Sequence, residues 1–248
     1  MYKKAFARRL KDNKFLVHLW EDSGYTKVEW DNQAYIECNE SEATYKGLNG
    51  ESLKKIKNYR SDNPKLHFHD MPPYQKFLIE KYGINDTPST THRELFFDIE
   101  CEMLDDMSEE GLKKANKKIT SIAWYDKQVD EWGIVILDEK SHFGTNIKTK
   151  SNKKIIPCRN EGELLAKFLE IFRDIDPDII VGWNSDYFDI PYLYYRMCNV
   201  LGQDFAKHLS PIGYVRETPW FKDQYIQICG VESLDYMRLH KKFSWADE

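Results

Sequence analysis

The 248 residues are 41% hydrophobic and 31% charged, enough apolar matter for one large core or two modest ones. No apolar run approaches twenty residues and the opening MYKKAFARRLKDNK lacks the apolar stretch of a secretory signal, so no membrane association and a cytoplasmic location are expected. The net charge of −5 argues against a passive nucleic-acid coat, and five scattered cysteines without C-x-x-C spacing argue against a disulfide scaffold or a zinc knuckle. The charge is uneven: residues 1–93 hold 16 Lys/Arg against 13 Asp/Glu, and residues 94–248 hold 20 against 28. An acidic region can still act on DNA where divalent metals carry the positive charge to the phosphate.

In chain order, the first sixty residues predict short β-strands. Ala5–Leu10, Phe15–Trp20 and Thr26–Ile36 are bounded by turn chemistry at Asp12-Asn13 and Ser23-Gly24. The polar stretch Cys38–Ser61 predicts a loop with a short helix near Leu53–Tyr59. A well-marked helix follows. Asp70 is its expected cap, Pro72 and Pro73 suit its first turn, Tyr74, Phe77, Leu78 and Tyr82 repeat at helical spacing, and Gly83 is the expected stop. Asn85–His92 has linker composition. It sets the expected boundary between a small strand-rich α+β domain, residues 1–93, and a second domain, residues 94–248.

The pattern then changes. Leu95–Ile99, Lys118–Tyr125 and Trp132–Leu137 predict three strands, and the lysine-rich Lys140–Lys154 predicts a solvated loop, with DNA-backbone contact as the alternative. Glu161–Asp174 is an amphipathic helix through Leu164, Leu165, Phe168, Leu169 and Phe172. Pro177 separates it from Asp178–Trp183, whose Ile179-Ile180-Val181 centre predicts a strand covered on both faces. A helix from about Asp189 to Leu201 comes next, with Ile190, Leu193, Tyr194, Met197 and Leu201 inward. The order β-β-β-α-β-α specifies a mixed α/β sheet with flanking helices, begun by a meander and continued by crossover units.

Two segments carry candidate chemistry. In Phe97-Asp98-Ile99-Glu100 the two acidic residues alternate along a strand, so both side chains share a face, roughly 6.5–7 Å apart along the chain. Carboxylates so placed repel, and a hard divalent cation relieves that repulsion. The bland reading is a solvated strand end. In Val181-Gly182-Trp183-Asn184-Ser185-Asp186-Tyr187-Phe188-Asp189-Ile190-Pro191 a buried strand runs through a polar turn into a helix. Asp189 with Pro191 is an ordinary N-terminal helix cap on one reading. On the other, Asp189 stands at the carboxyl end of a central strand, where α/β sheets place ligands.

F-D-I-E in a strand, followed about ninety residues later by V-G-W-N-x-x-x-F-D-I-P-Y-L, resembles exonuclease motifs I and II of family B DNA polymerases. Gly230–Phe243 is similar to the segment after motif II in the T-even-phage type, and Tyr214–Cys229 sits where that group carries a β-hairpin beside its cleft. Residues 1–93 are similar in length and strand-rich character to its N-terminal domain. The resemblance implies a ribonuclease-H-like 3′→5′ exonuclease fold. It implies that Asp98, Glu100 and Asp189 are catalytic metal ligands for Mg²⁺ or Mn²⁺, two ions per complete site. It places Asn184 and Phe188 at the substrate, Asn184 orienting the strand end or the DNA and Phe188 packing behind Asp189. The implied partners are the 3′ end of single-stranded DNA, primer–template DNA, the remaining polymerase polypeptide and a replication clamp.

The family's third motif, Y-x-x-x-D, supplies a tyrosine and a fourth carboxylate. Downstream of Asp189, Tyr214–Thr218 ends in Thr and Tyr236–His240 ends in His. The exonuclease domain is therefore expected to be incomplete at its C-terminus, without the polymerase catalytic part, and to digest single-stranded DNA very slowly or not at all by itself. Two competing functions remain: a nuclease-like module that binds single-stranded DNA or a replication partner without cleaving, and an unrelated enzyme of ribonuclease H fold.

Overall fold

Strand propensity and turn chemistry build the first unit, Met1–Thr90, from two antiparallel sheets. The computed structural model describes every residue except 48, 58, 60, 61, 84, 86, 144–151, 220–225 and 245–248. Strands β1 (Tyr2–Arg9), β2 (Lys14–Glu21) and β3 (Gly24–Asp31) form a meander, its first turn made by Asp12 and Asn13 at φ 55° and 58°. The expected third strand, Thr26–Ile36, is two strands. The chain breaks at Asn32, whose buried side chain accepts from Lys76 Nζ at 3.0 Å, and β4 (Ala34–Glu37) joins a second sheet. That sheet has β5 (Tyr45–Lys46), β6 (Ser52–Ile56) and β7 (Leu66–His67), in the order β5-β6-β4-β7.

The short helix expected near Leu53–Tyr59 is replaced by β6. Antiparallel partners on both sides, Glu37 and Tyr45 opposite Leu53, outweigh a weak helical pattern, and Leu53 is buried there. Helix α1 (Pro73–Tyr82) starts at Pro72 without a side-chain cap, so Asp70 does not cap it. Gly83 ends it at φ 60°, a conformation that favours glycine. Phe77 packs with Phe15, Val17 and Leu19 in this unit's own core.

The second unit, Thr91–Glu248, centres on a six-stranded mixed sheet. Its elements in chain order are β8 (Glu94–Cys101), α2 (Glu109–Lys114), β9 (Ile119–Asp126), β10 (Glu131–Leu137), β11 (Lys153–Cys158), α3 (Glu161–Ile175), β12 (Ile179–Gly182) and α4 (Asp189–Leu201). There follow α5 (Gln203–Ala206), the hairpin β13 (Val215–Glu217) and β14 (Ile226–Ile228), β15 (Glu232–Asp235) and α6 (Tyr236–Phe243). The sheet order is β11-β10-β9-β8-β12-β15, with β8-β9-β10 antiparallel and β10-β11, β8-β12 and β12-β15 parallel. Strand β11 begins inside the predicted Lys140–Lys154 loop, of which residues 144–151 lie outside the described residues.

Alternation along β8 divides the two faces. Leu95, Phe97 and Ile99 are buried in one core with Leu164, Phe168 and Phe172 of α3 and Ile190, Leu193 and Met197 of α4. Each such side chain contributes about 1.5–3 kcal/mol relative to exposure. Phe96, Asp98 and Glu100 lie on the other face, opposite Tyr125, Ala123 and Ser121 of β9. The core is locked by an ion pair between buried Glu161 and half-buried Arg196. Arg196 of α4 grips Glu161 of α3 through two bonds of 2.7 and 2.6 Å and donates to Ala115 O at 2.8 Å. Glu161 Oε1 also accepts the Ile119 N–H at 2.8 Å.

Candidate active site

Strand β8 sets the position of the first two carboxylates. Asp98 and Glu100 flank the buried Ile99, and both are exposed on the face away from α3 and α4. Strand β12 lies parallel beside β8 and delivers the third. It ends at Gly182, where the room for a side chain is already taken: a Cβ there would come within 2.7 Å of Ser185 Cβ. The turn then bends through Asn184 at φ 58°, a left-handed conformation that asparagine tolerates better than most side chains. The Asn184 carbonyl accepts from Tyr187 N and Phe188 N, and the chain enters α4 at Asp189.

Asp189 is not an ordinary helix cap. The residue preceding the helix is Phe188, which makes no side-chain cap, and Asp189 is the first helical residue. Its Oδ1 instead accepts the Ile99 N–H at 3.0 Å, ninety positions back in sequence, between Asp98 and Glu100. The third carboxylate is thereby pinned to the strand that carries the other two. Burial pushes the Asp189 carboxyl up to about 7; the Ile99 N–H opposes this, and the charges of Asp98 and Asp235 add to it. Among the described residues no cation pairs with Asp189. Phe188 is half-buried and stacks on Tyr192 of α4 at 5.7 Å, behind this corner.

Among the described residues no three His, Cys, Asp or Glu side chains converge closely enough to hold a metal ion. The carboxylates themselves suit one: three of them, one a buried acid lacking a positive partner among the described residues, match a hard divalent cation.

The residues that hold the turn are ones the motifs did not flag. Asp235, at the end of β15 and buried, accepts the Asn184 N–H at 3.0 Å and the Met237 N–H at 2.9 Å on Oδ1, and the Asp186 N–H at 3.2 Å on Oδ2. Buried Asp186 in turn takes Ser233 Oγ at 2.5 Å and Arg238 Nη1 at 2.9 Å. Burial pushes the Asp186 carboxyl up, and these two donors oppose it. The sequence signal for Asp235 is that of a helix cap, a role it fills for α6. Its second task, reaching back about fifty residues, has no local signature.

The sequence profile described as DNA polymerase family B, exonuclease domain, matches residues 69–246. The chain belongs to that family. The match includes Asp98, Glu100, Asn184, Phe188 and Asp189 as well as Asp235. Among relatives of this family B chain, the DNA-directed DNA polymerase of Escherichia phage RB69 is 37% identical over 127 residues, 48% of this chain and 14% of the relative. The DNA-directed DNA polymerase of Enterobacteria phage T4 is 33% identical over 96 residues, 37% of this chain and 11% of the relative. The DNA polymerase of Thermococcus kodakarensis is 27% identical over 141 residues, 57% of this chain and 7% of the relative. The matched segment thus spans about one seventh or less of the length of these polymerases.

Proposed function

We propose that the second unit is a 3′→5′ exonuclease of ribonuclease-H-like fold that proofreads for a family B DNA polymerase, and that residues 1–93 are that polymerase's N-terminal domain. One observation carries the site assignment: the Asp189 carboxylate is bonded to Ile99 N–H, between Asp98 and Glu100. The exposed Asp98 and Glu100 side chains, which do not converge with Asp189 as they stand, would turn towards it to hold Mg²⁺ or Mn²⁺, two ions in a complete site. A divalent cation held by these carboxylates would activate water and stabilise the leaving 3′ oxygen.

The chain's own residues do the rest. Burial pushes the Asp189 carboxyl up to about 7, so it takes up a proton near neutrality and would release it to solvent on binding a cation. The Asn184 turn presents the strand end to the DNA, and Phe188 braces Asp189 from behind. The substrate is the 3′ end of single-stranded DNA, delivered from primer–template DNA. The partners are the remaining polymerase polypeptide and a replication clamp, and the setting is the cytoplasm, that of the host cell for a phage protein. Among the described residues no helix is long and apolar enough to cross a membrane.

The tyrosine and fourth carboxylate of the third motif would come from further polypeptide. Mixed with a polypeptide bearing that motif and Mn²⁺, the chain should shorten a 5′-labelled single strand stepwise from its 3′ end. The chain alone should be about 100-fold slower or worse, the order of loss when a proton-handling group is missing. Internal cuts, or digestion that survives Asp98→Ala, would refute the assignment.

A further inference from the structure

Eight lysines of the second unit lie within ion-pair distance of a carboxylate, from Lys113 with Glu109 to Lys207 with Asp204. Lys241 and Lys242 differ. Both are exposed on α6, and no described carboxylate pairs with either. The other described lysines without such a partner, Lys140 and Lys153, belong to the β10–β11 edge at the far side of the sheet. Helix α6 also carries Arg238 and His240, has no acidic residue and buries none of its side chains. Two neighbouring lysines without a described carboxylate partner stand out in a region holding 28 acidic residues against 20 basic ones. They draw a polyanion towards themselves.

This helix adjoins the carboxylates. A groove of about 460 Å³ runs along the outer face of the sheet, lined by Trp132, Tyr125, Phe96, Asp98, Trp183 and Tyr236. At its α6 end Trp183 is 57% exposed and Tyr236 53%, and the His240 ring lies 5.9 Å from that of Trp183. Open aromatic faces beside lysines without a described carboxylate partner suit unpaired nucleotides, which offer both bases to stack and phosphates to neutralise; a duplex hides its base faces. An apolar protein segment would fill the groove but leave Lys241 and Lys242 without a role.

We propose that α6 and Trp183 form the track for the unpaired nucleotides leading to the 3′ end, with Lys241 and Lys242 on phosphates and Trp183 and Tyr236 against bases. The inference rests on the single-stranded-DNA reading of the carboxylate site. Arg238 belongs to the track's foundation, because its bond to Asp186 ties α6 to the turn that bears Asp189.

The test is the fluorescence anisotropy of a 5′-labelled oligothymidylate titrated with the full chain in Ca²⁺, over a range of salt. The double variant Lys241→Glu, Lys242→Glu should bind about tenfold more weakly or worse, and its salt slope should fall by about 1.4, the share of two phosphate contacts on a single strand. Trp183→Ala and Tyr236→Ala should each weaken binding about fivefold or more. Lys167→Glu, the same charge change at an ion-paired lysine on α3, should leave affinity unchanged. Circular dichroism confirms folding of each variant. Wild-type affinity in the double lysine variant overturns the track and leaves the exonuclease reading standing. A wild-type chain that binds no single strand overturns both. A labelled acidic polypeptide that binds the chain more tightly than the oligothymidylate, and loses that affinity in the double lysine variant, makes α6 a protein dock and overturns the track.

Discussion

Asp189 is the residue on which the site turns, and its proton gives it a signature. Burial holds its carboxyl up to about 7 in the folded chain, well above the ordinary carboxylate range. Between that range and pH 7 the folded chain therefore binds a proton that the unfolded chain releases. The resulting stabilisation is present at low pH and lost as pH rises through about 7. In EDTA, wild-type melting temperature should fall between about pH 5.5 and about pH 8, and Asp189→Asn should flatten that fall and melt higher at the upper end. Equal pH dependence in the two proteins would show that Asp189 is not the group responsible. The sequence could place Asp189 at the start of a helix, because Pro191 and the apolar spacing that follows are local signals. It could not show that Asp189 leaves α4 uncapped, since the partner its side chain takes instead, the Ile99 N–H, lies ninety positions away.

At the scale of elements, strands and helices with dense apolar patterns were legible and sparse ones were not. Helix α3 was readable from Leu164, Leu165, Phe168, Leu169 and Phe172, and α4 from its inward row. Strands β6 and β11 were missed because their pairing, not their composition, makes them strands: β6 lies between two antiparallel neighbours, and β11 is an edge strand held parallel to β10. The joint between α3, α4 and β9 was equally invisible, since Glu161 reads as a first-turn acid on an exposed helix. It is in fact buried against Arg196 and Ile119 N–H. Glu161→Ala should destabilise the chain by about 2–3 kcal/mol, because it leaves the buried Ile119 N–H unpaired and the half-buried Arg196 without its carboxylate. Urea unfolding measures this, and a loss under about 1 kcal/mol, the level of a surface pair, would mean Glu161 is not buried in solution.

For the whole molecule, composition permitted a nuclease without suggesting one, because an acidic chain can act on DNA where divalent cations carry positive charge to the phosphate. The two motifs supplied the suggestion, and the fold joins them: β8 and β12 are neighbours in the sheet although their sequences are far apart. What the motifs omitted is the support at the other end, where β15 and α6 hold the turn through Asp235 and Arg238. Manganese binding tests most directly whether Asp98, Glu100 and Asp189 act as one metal site. Free Mn²⁺ is followed by its electron paramagnetic resonance signal as the chain is added. The expected result is uptake by the wild type that strengthens with rising pH, is lost in Asp98→Asn and in Asp189→Asn, and is kept in Asp105→Asn, a change at an exposed acid between β8 and α2. Uptake by the Asp98 and Asp189 variants equal to that of the wild type would contradict the assignment.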